Sequence, residues 1–185
     1  MEISSMGQII IEDTRNRVGK HERKNTWWRN HGVKVVRRKL ETGDYATADA
    51  SSNILIDTKQ NMAEVAMDCG RDHDRFVREM ERAREAGYRL VILVETGGNY
   101  HCIDDVERWV SDACTKRCDR RRYKLCEPFV DRCAKWRHKP LQGPTLAKMM
   151  RTLEERHGCR FEFVHPLMSA KRICDLLGVS YETGR

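Results

Sequence analysis

Asp44, Asp57 and Lys59 are spaced in the chain as the groups of a hydrolytic site would be. Asp44 follows a glycine, and Asp57 and Lys59 close an apolar run at residues 53–59. Hard cations such as Mg²⁺ and Mn²⁺ bind carboxylate oxygens, and a bound cation can activate water for attack on a phosphodiester. These residue types therefore indicate metal-dependent phosphodiester hydrolysis.

The run at 53–59 has the apolar, β-branched character of a strand. Because alternate residues of a strand share a face, Asp57 and Lys59 are predicted to project side by side. A preceding hairpin would bring Asp44 beside them, and Asp13, at the end of the first predicted strand, could join from a neighbouring strand. On the D-x-K tripeptide alone a solvated strand end is the favoured interpretation, because such tripeptides are common, and only the wider motif context described below reverses it.

Apolar runs and helical periodicity alternate along the rest of the chain. Strands are predicted at residues 8–12, 33–40, 45–48, 53–59, 89–95 and 160–164. Helices are predicted at residues 18–31, 61–68, 73–86, 104–112, 144–157 and 169–177, the last capped by Ser169. The continuous apolar run at 89–95 is typical of a central strand covered on both faces.

This alternation predicts an α/β fold with a mixed central sheet flanked by helices. The length of 185 residues fits a single domain, and residues 97–143 are predicted to form a basic, cysteine-rich insertion within it. The N-terminus lacks the pattern of a secretory signal, and no apolar run approaches the ~20 residues of a membrane span. We therefore expect a cytoplasmic protein with reduced thiols and no membrane contact.

The net charge of +7 is concentrated in residues 115–139, which hold ten Lys or Arg and three Asp or Glu. A basic cluster interleaved with aromatic residues is typical of a phosphate-binding surface. The residues predicted to contact DNA there are Arg120, Arg121, Arg122 and Lys124. The alternative is a solvated insertion that keeps the protein soluble.

Four of the eight cysteines lie in the same segment, at Cys114, Cys118, Cys126 and Cys133. Structural Zn²⁺ takes four thiolate or imidazole ligands, commonly in pairs separated by two to four residues. Cys114 and Cys118 have that spacing, whereas Cys126 and Cys133 are too widely spaced to fit it. Two interpretations stay open, a zinc-held basic finger and four free thiols on a loop.

Five motifs occur in one order along the chain: IIIEDTR, LETGDY, ILIDTK, RFVRE and RLVILVE. In this order they resemble the nuclease domain of the XPF-type structure-specific endonucleases, which belong to the PD-(D/E)XK superfamily. The resemblance covers about residues 8–96. Two positions depart from the family pattern: Thr58 stands where the family has an arginine, and Ala63, followed by Glu64, stands where it has an acidic residue.

The resemblance implies a restriction-endonuclease-like core and cleavage of DNA, including branched DNA, with Mg²⁺ or Mn²⁺. It implies that Asp44 and Asp57 are metal ligands and that Asp13 assists at the metal. Lys59 would position the attacking water or stabilise charge on the phosphate. Arg15 would contact DNA, and Arg75 would support the site or contact DNA. Two copies of the chain would pair as a homodimer.

Three hypotheses of function follow from these observations. The leading one is a metal-dependent DNA endonuclease acting in DNA repair or recombination. The second is a nucleic-acid-binding module on a degenerate nuclease fold, and the third is an interaction or inhibitor protein that uses this fold as a scaffold. The joint presence of Asp44, Asp57 and Lys59 favours the first, because a binding protein has no need of all three.

Overall fold

The computed structural model describes residues 9–122, 126, 132–136 and 139–183, and these residues contain a six-stranded mixed sheet. The strands are β1 (Ile10–Glu12), β2 (Val35–Arg37), β3 (Tyr45–Thr47), β4 (Ile54–Lys59), β5 (Arg89–Glu95) and β6 (Arg160–Val164). Their order across the sheet is β2-β1-β3-β4-β5-β6. β3 runs antiparallel to β1 and β4, and the other neighbouring strands are parallel.

Helices cover both faces of this sheet. In the described residues they are α1 (Glu22–Asn30), α2 (Met62–Cys69), α3 (His73–Glu85), α4 (Ile103–Val106), α5 (Asp112–Thr115), α6 (Asp119–Arg122), α7 (Gly143–His157) and α8 (Ser169–Leu177). Buried side chains of α2, α3 and α7 form one core with the sheet. Buried side chains of α1 and α8 form the second core on the opposite face. The predicted α/β class with a mixed, helix-flanked sheet is therefore confirmed.

β5 lies inside the sheet between β4 and β6, and its residues alternate between the two cores. Leu90, Ile92 and Val94 belong to the core under α2, α3 and α7. Val91 and Leu93 belong to the core under α1 and α8. Burial of one aliphatic side chain contributes about 1.5–3 kcal/mol, so burial on both faces stabilises this strand strongly. The prediction of a central strand covered on both faces is confirmed.

The helix predicted at 18–31 begins only at Glu22, and the structure differs from the sequence prediction more strongly at three other elements. The strand predicted at 33–40 shortens to β2, because its partner β1 has only three residues to pair with. The helix predicted at 104–112 is replaced by α4, an isolated bridge from Val110 to Gln142, and α5. Ser169 is the first residue of α8 and does not cap it; Met168 occupies the N-cap, and the Ser169 hydroxyl donates to Glu95.

The start of α7 is packed tightly against the end of α4. Gly143 is buried, and a Cβ atom at this position would clash with the backbone carbonyls of Val106 and Glu107. The Gly143 N–H donates to the carbonyl of Trp109 at 3.1 Å. A glycine is therefore required where the chain returns from residues 111–142 to the core. Among the helices of the described ranges, none has the length and apolar character that a membrane span needs.

Candidate functional site

Asp57 and Lys59 lie side by side at the carboxyl end of β4. The Lys59 Nζ atom is 2.7 Å from Asp57 Oδ2, and both side chains are about one-tenth exposed. β4 is held between β3 and β5, and Asp57 and Lys59 are in register with Ile92 and Val94. The acid and the amine therefore project from a rigid, interior strand, as the alternation of strand residues predicted.

Asp44 is fixed against β4 at the turn that leads into β3. Its N–H donates to the carbonyl of Ile56 at 2.6 Å. Gly43 has φ +78°, and a Cβ there would be 3.0 Å from the same Ile56 carbonyl. Only glycine adopts this left-handed conformation without strain, so Gly43 allows the turn to approach β4.

The Asp44 carboxylate is held by hydrogen bonds from two directions. Oδ2 accepts from the Thr58 N–H at 2.9 Å and from the Thr58 hydroxyl at 2.5 Å. Oδ1 accepts from Asn16 Nδ2 at 3.0 Å. Thr58, between Asp57 and Lys59 in the chain, thus fixes the orientation of Asp44 through its backbone N–H and its hydroxyl.

The Asp57 carboxylate is almost fully withdrawn from solvent. Burial raises its pKa to about 7, against the opposing effect of Lys59, and the negative charges of Asp44 and Glu79 raise it further. Apart from Lys59, Oδ2 has no hydrogen-bond partner in the described part of the chain. A buried carboxylate with so few partners is a favourable ligand for a cation.

Asp68 in α2 completes the surroundings of Lys59, and the sequence prediction missed it. Its Oδ2 lies 2.7 Å from Lys59 Nζ, and its Oδ1 accepts from Arg75 at 2.6 Å. Burial alone lowers the pKa of Lys59, but Asp57 and Asp68 raise it above its ordinary value, so the amine is charged. Asp68 follows the buried positions Met62 and Val65 at helical spacing. An acid on the apolar face of a helix must have a buried partner, and that signal could have identified it.

Asp13 and Arg15 are paired with each other at the end of β1. Arg15 Nε lies 2.5 Å from Asp13 Oδ2, and the Leu40 N–H donates to Asp13 Oδ1 at 3.4 Å. The Asp13 backbone N–H donates to the Asp44 carbonyl at 2.8 Å. Asp13 is therefore adjacent to Asp44 through the backbone, while its carboxylate is turned toward Arg15 and Leu40.

Glu64, the acidic residue that follows Ala63, has a structural position at the start of α2. Its carboxylate accepts from the Gln60 N–H at 2.8 Å, and its own N–H donates to the Asn61 side chain at 3.0 Å. These are hydrogen bonds of a helix cap. Asp68, four residues further on, supplies the carboxylate beside Lys59.

No group of three or more His, Cys, Asp or Glu side chains in the described ranges is arranged to hold a metal ion. Asp44 and Asp57, whose charges act on each other, stay the predicted metal ligands. The eight cysteines all lie within the described residues and form no disulfide. Zinc binding by Cys114, Cys118, Cys126 and Cys133 stays a prediction.

The basic segment is described only in part. Arg120 is exposed in α6, and for Arg121 and Arg122 the backbone alone is described. Lys124 lies outside the described residues. The predicted DNA contacts of this segment therefore stay predictions.

A second buried polar cluster lies on the α1 side of the same sheet edge. His21 Nδ1 is 3.1 Å from Lys24 Nζ, Lys24 Nζ is 2.5 Å from Glu95 Oε1, and the Ser169 hydroxyl donates to Glu95 at 2.8 Å. His21 also contacts the Tyr45 ring edge-on, with centroids 5.7 Å apart. Burial, and then the charge of Lys24, lower the pKa of His21 to about 4. Sequence reasoning missed this cluster because its members lie far apart in the chain.

We expect His21 to make the stability of the protein dependent on pH. Its folded pKa of about 4 is below the unfolded value of 6.5, so the unfolded state binds a proton first as pH falls. The free energy of unfolding should be undiminished above about pH 6.5 and should decrease by about 1–2 kcal/mol toward pH 4.5. Lys20 and Lys24 favour the neutral imidazole, whereas Asp44 and Glu95 oppose them.

Urea unfolding of wild type and His21→Gln at pH 7.5, 6.0 and 4.5 measures this effect. The His21→Gln protein should lose less stability between pH 7.5 and 4.5 than wild type does. His101→Gln, at an exposed position, is the matched control and should retain the wild-type pH dependence. Equal pH dependence in wild type and His21→Gln would contradict the prediction.

Neither a protein-family model nor a curated protein matches this chain. The functional assignment therefore depends on the residues and contacts described above.

Proposed function

We propose that this protein is a divalent-metal-dependent DNA endonuclease with a restriction-endonuclease-like core. The observation that carries the proposal is the buried pair of Asp57 and Lys59 at the end of β4, with Asp44 fixed to the same strand. Such a pairing of acids and an amine at one sheet edge is the arrangement that the motif order predicts. A protein that only binds nucleic acid has no need to bury these charges, which is costly.

Asp44 and Asp57 are the residues that would hold Mg²⁺ or Mn²⁺. Mg²⁺ is commonly bound through one or two carboxylates, with water and substrate phosphates as the other ligands, so two carboxylates suffice. The donor set fits, since Asp57 has a buried oxygen without a hydrogen-bond partner other than Lys59. A bound cation supplies Lewis-acid stabilisation of the phosphoryl oxygens and lowers the pKa of a bound water.

Lys59 would stabilise the negative charge that develops on the phosphate. Its ammonium is held between Asp57 and Asp68, which keep it protonated and orient it before substrate arrives. Charged donors oriented in advance lower the barrier, because they do not have to reorganise during the reaction. In this role Asp68 is a positioning residue, since it acts through Lys59.

Arg15 and Arg75 would contact the DNA backbone on either side of these acids. Each is held to a buried carboxylate, Arg15 to Asp13 and Arg75 to Asp68, while about half of each arginine side chain is exposed to solvent. The charge concentrated in residues 115–139 adds to the electrostatic attraction for a polyanion. These features support nucleic acid as the substrate.

A nucleic-acid-binding module or a nuclease-fold inhibitor protein is the second candidate. It is favoured by the ion pairs of Lys59, which satisfy Asp57 and Asp68 without a cation. It is also favoured by the lack of a three-ligand group in the described residues.

A cleavage assay distinguishes the two candidates. Supercoiled DNA, single-stranded DNA, a four-way junction and a matched RNA would each be incubated with the protein in Mg²⁺, Mn²⁺ or EDTA. The proposal expects cleavage of at least one DNA in Mg²⁺ or Mn²⁺ and none in EDTA. Tight DNA binding without cleavage in either metal would favour the binding module.

The basic segment should control affinity more than turnover. Each Lys or Arg that neutralises a duplex phosphate adds about 0.9 to the slope of log affinity against log salt. Replacing Arg120, Arg121 and Arg122 with Ala should therefore lower the magnitude of that slope by up to about three. The rate at saturating DNA should change much less, because Asp44 and Asp57 lie in another part of the chain.

A triple variant of Arg82, Lys148 and Arg156, each to Ala, is the matched control. These three are exposed cations on α3 and α7, outside the basic segment. The control should lose less of the slope than the Arg120–Arg121–Arg122 variant. Equal slopes of log affinity against log salt for the wild type and the Arg120–Arg121–Arg122 variant would show that the positive charge of residues 115–139 serves solubility.

A further inference from the structure

Two adjacent cavities lie along α1. The first, of about 270 Å³, is lined by residues that include Lys20, His21 and Gln60. The second, of about 230 Å³, is lined by residues that include Trp27 and Leu167. Arg23, Lys24 and Pro166 line both cavities, which are therefore neighbours on the surface. We call the two cavities together the α1 groove.

The α1 groove lies at the same end of β4 and β5 as the candidate active site. Gln60, at its inner end, directly follows Lys59 in the chain. Glu95, at the end of β5, lines the same part of the groove, and its neighbour Val94 is in register with Lys59. The Lys59 side chain lies on the α2 face of the sheet, where it pairs with Asp68, so a strand held there would pass around the end of β4 to reach the groove.

The inner half of the groove is basic. Lys20 and Arg23 are exposed, and neither forms an ion pair with a described residue. The single carboxylate lining this half, Glu95, is already paired with Lys24 and with the Ser169 hydroxyl. Positive charge is therefore in excess, and the half is complementary to an anion.

His21 adds a buried donor to this basic half. The Lys24 ammonium has only donors, so at 3.1 Å it donates to His21 Nδ1, and the ring proton of the neutral imidazole is on Nε2. His21 is 3% exposed, and its Nε2 has no hydrogen-bond partner in the described part of the chain. A buried N–H without an acceptor is costly. Because His21 lines the inner cavity, a bound ligand that brought an oxygen to Nε2 would remove that cost.

The outer half of the groove is apolar. Trp27, Pro166 and Leu167 line it, and Leu167 is 62% exposed. One face of the Trp27 indole is covered by His31, with ring centroids 3.8 Å apart. The groove thus places an apolar surface directly beside a basic one, which matches a ligand with an anionic group and a flat apolar group.

We infer that the α1 groove binds one unpaired nucleotide of a nucleic-acid strand, with its phosphate against Lys20, His21 and Arg23 and its base against Pro166 and Leu167. That this strand is the substrate rests on the proposed function. A base within a duplex is stacked and paired, so only an unpaired base can reach the apolar half.

Oligonucleotide binding in EDTA tests this inference without any dependence on cleavage. Fluorescence anisotropy would compare labelled single-stranded (dT)8 with an abasic strand of equal length and charge, using the full chain. Stacking of a base contributes a measurable part of single-strand affinity, so (dT)8 should bind about tenfold more tightly than the abasic strand. Equal binding of the two strands would overturn the base contact.

Two exposed substitutions separate the halves of the groove. Arg23→Glu should weaken the binding of both strands about tenfold, whereas Leu167→Ser should weaken (dT)8 alone, by about three- to tenfold. Lys148→Glu on α7 and Val36→Ser on β2 are the matched exposed controls and should leave both affinities unchanged. Unchanged binding by Arg23→Glu would overturn the inference.

Nitrogen NMR of the histidine side chains is a second measurement that needs no substitution. We expect the His21 ring to carry its proton on Nε2 and its Nε2 signal to shift when (dT)8 is added. A proton on Nδ1, or a His21 signal unaffected by (dT)8, would remove the phosphate contact. An Nε2 shift caused equally by inorganic phosphate at the same concentration would show a site for free phosphate and would also overturn the nucleotide assignment.

The outcomes for the groove and for the proposed function are distinguishable. If wild type cleaves DNA but Arg23→Glu and Leu167→Ser bind both strands normally, the groove inference fails and the nuclease stands. If these variants lose binding but no DNA is cleaved in either metal, the nuclease fails and the groove stands. If Leu167→Ser instead turns a dimer into a monomer in sedimentation, with (dT)8 affinity unchanged, the groove is a protein interface and the inference fails.

Discussion

Replacement of Asp57 by Asn should reduce metal-dependent cleavage by about a thousandfold or more while leaving the protein folded and able to bind DNA. The change removes the charge of one of the two carboxylates proposed to hold the cation, and loss of a metal ligand removes the activation of water and phosphate together. Burial raises the pKa of Asp57, so its charge is costly to the folded state. Asn has the same shape, and Lys59 retains its ion pair with Asp68.

Initial rates of supercoiled DNA nicking in Mg²⁺, together with DNA affinity in EDTA, measure this effect. Asp49→Asn is the matched control, because Asp49 is exposed and follows β3. The control should cleave at the wild-type rate. Equal cleavage by wild type and Asp57→Asn would exclude Asp57 as a metal ligand and leave the proposal without its central observation.

Replacement of Asp68 by Asn should lower the free energy of unfolding by about 2–4 kcal/mol. Asp68 is buried between Lys59 and Arg75, and removal of one partner of a buried ion pair leaves the other charge uncompensated. Urea unfolding measures the loss. Asp72→Asn is the matched control, since the pair of Asp72 and Arg71 is more exposed and should contribute less than about 1 kcal/mol.

Asp68→Asn should also slow cleavage about ten- to a hundredfold, because Lys59 loses one of the two carboxylates that orient it. A positioning role predicts that Asp68→Glu, which restores the charge, recovers part of the rate even where stability is not recovered. If the Asn and Glu variants were equally slow under conditions where both are folded, Asp68 would have a structural role only. A loss of stability no larger than that of Asp72→Asn would contradict the buried ion pair.

The two expected effects separate the parts of the site. The proposed function assigns Asp57 to the reaction, and removal of its charge is expected to cost little stability. It assigns to Asp68 a role in stability and an effect on the reaction through Lys59. Thr58 has a third kind of role, because its N–H and hydroxyl hold Asp44 against β4.

The strands and the turn that carry the candidate site could be predicted from local patterns of residues. The apolar runs of β4 and β5 and the alternation of residues along β4 are local patterns, and period-two alternation is enough to put Asp57 and Lys59 on one face. The glycine before Asp44 is also a local signal, because few residues other than glycine take a positive φ in a turn. These features were predictable because each depends on neighbours a few positions away.

The groups that surround the buried charges could not be predicted in this way, because they come from distant parts of the chain. Asp44 is bonded to Thr58, 14 positions away, and Glu95 to Ser169, 74 positions away. Ser169 looked like a helix cap in the sequence because its local context favours one, and the nearby buried Glu95 takes its hydroxyl instead. A buried charge is stabilised by whichever donor or counter-charge the packing brings within hydrogen-bond distance. That distance depends on how whole strands and helices pack, and no local pattern of residues contains it.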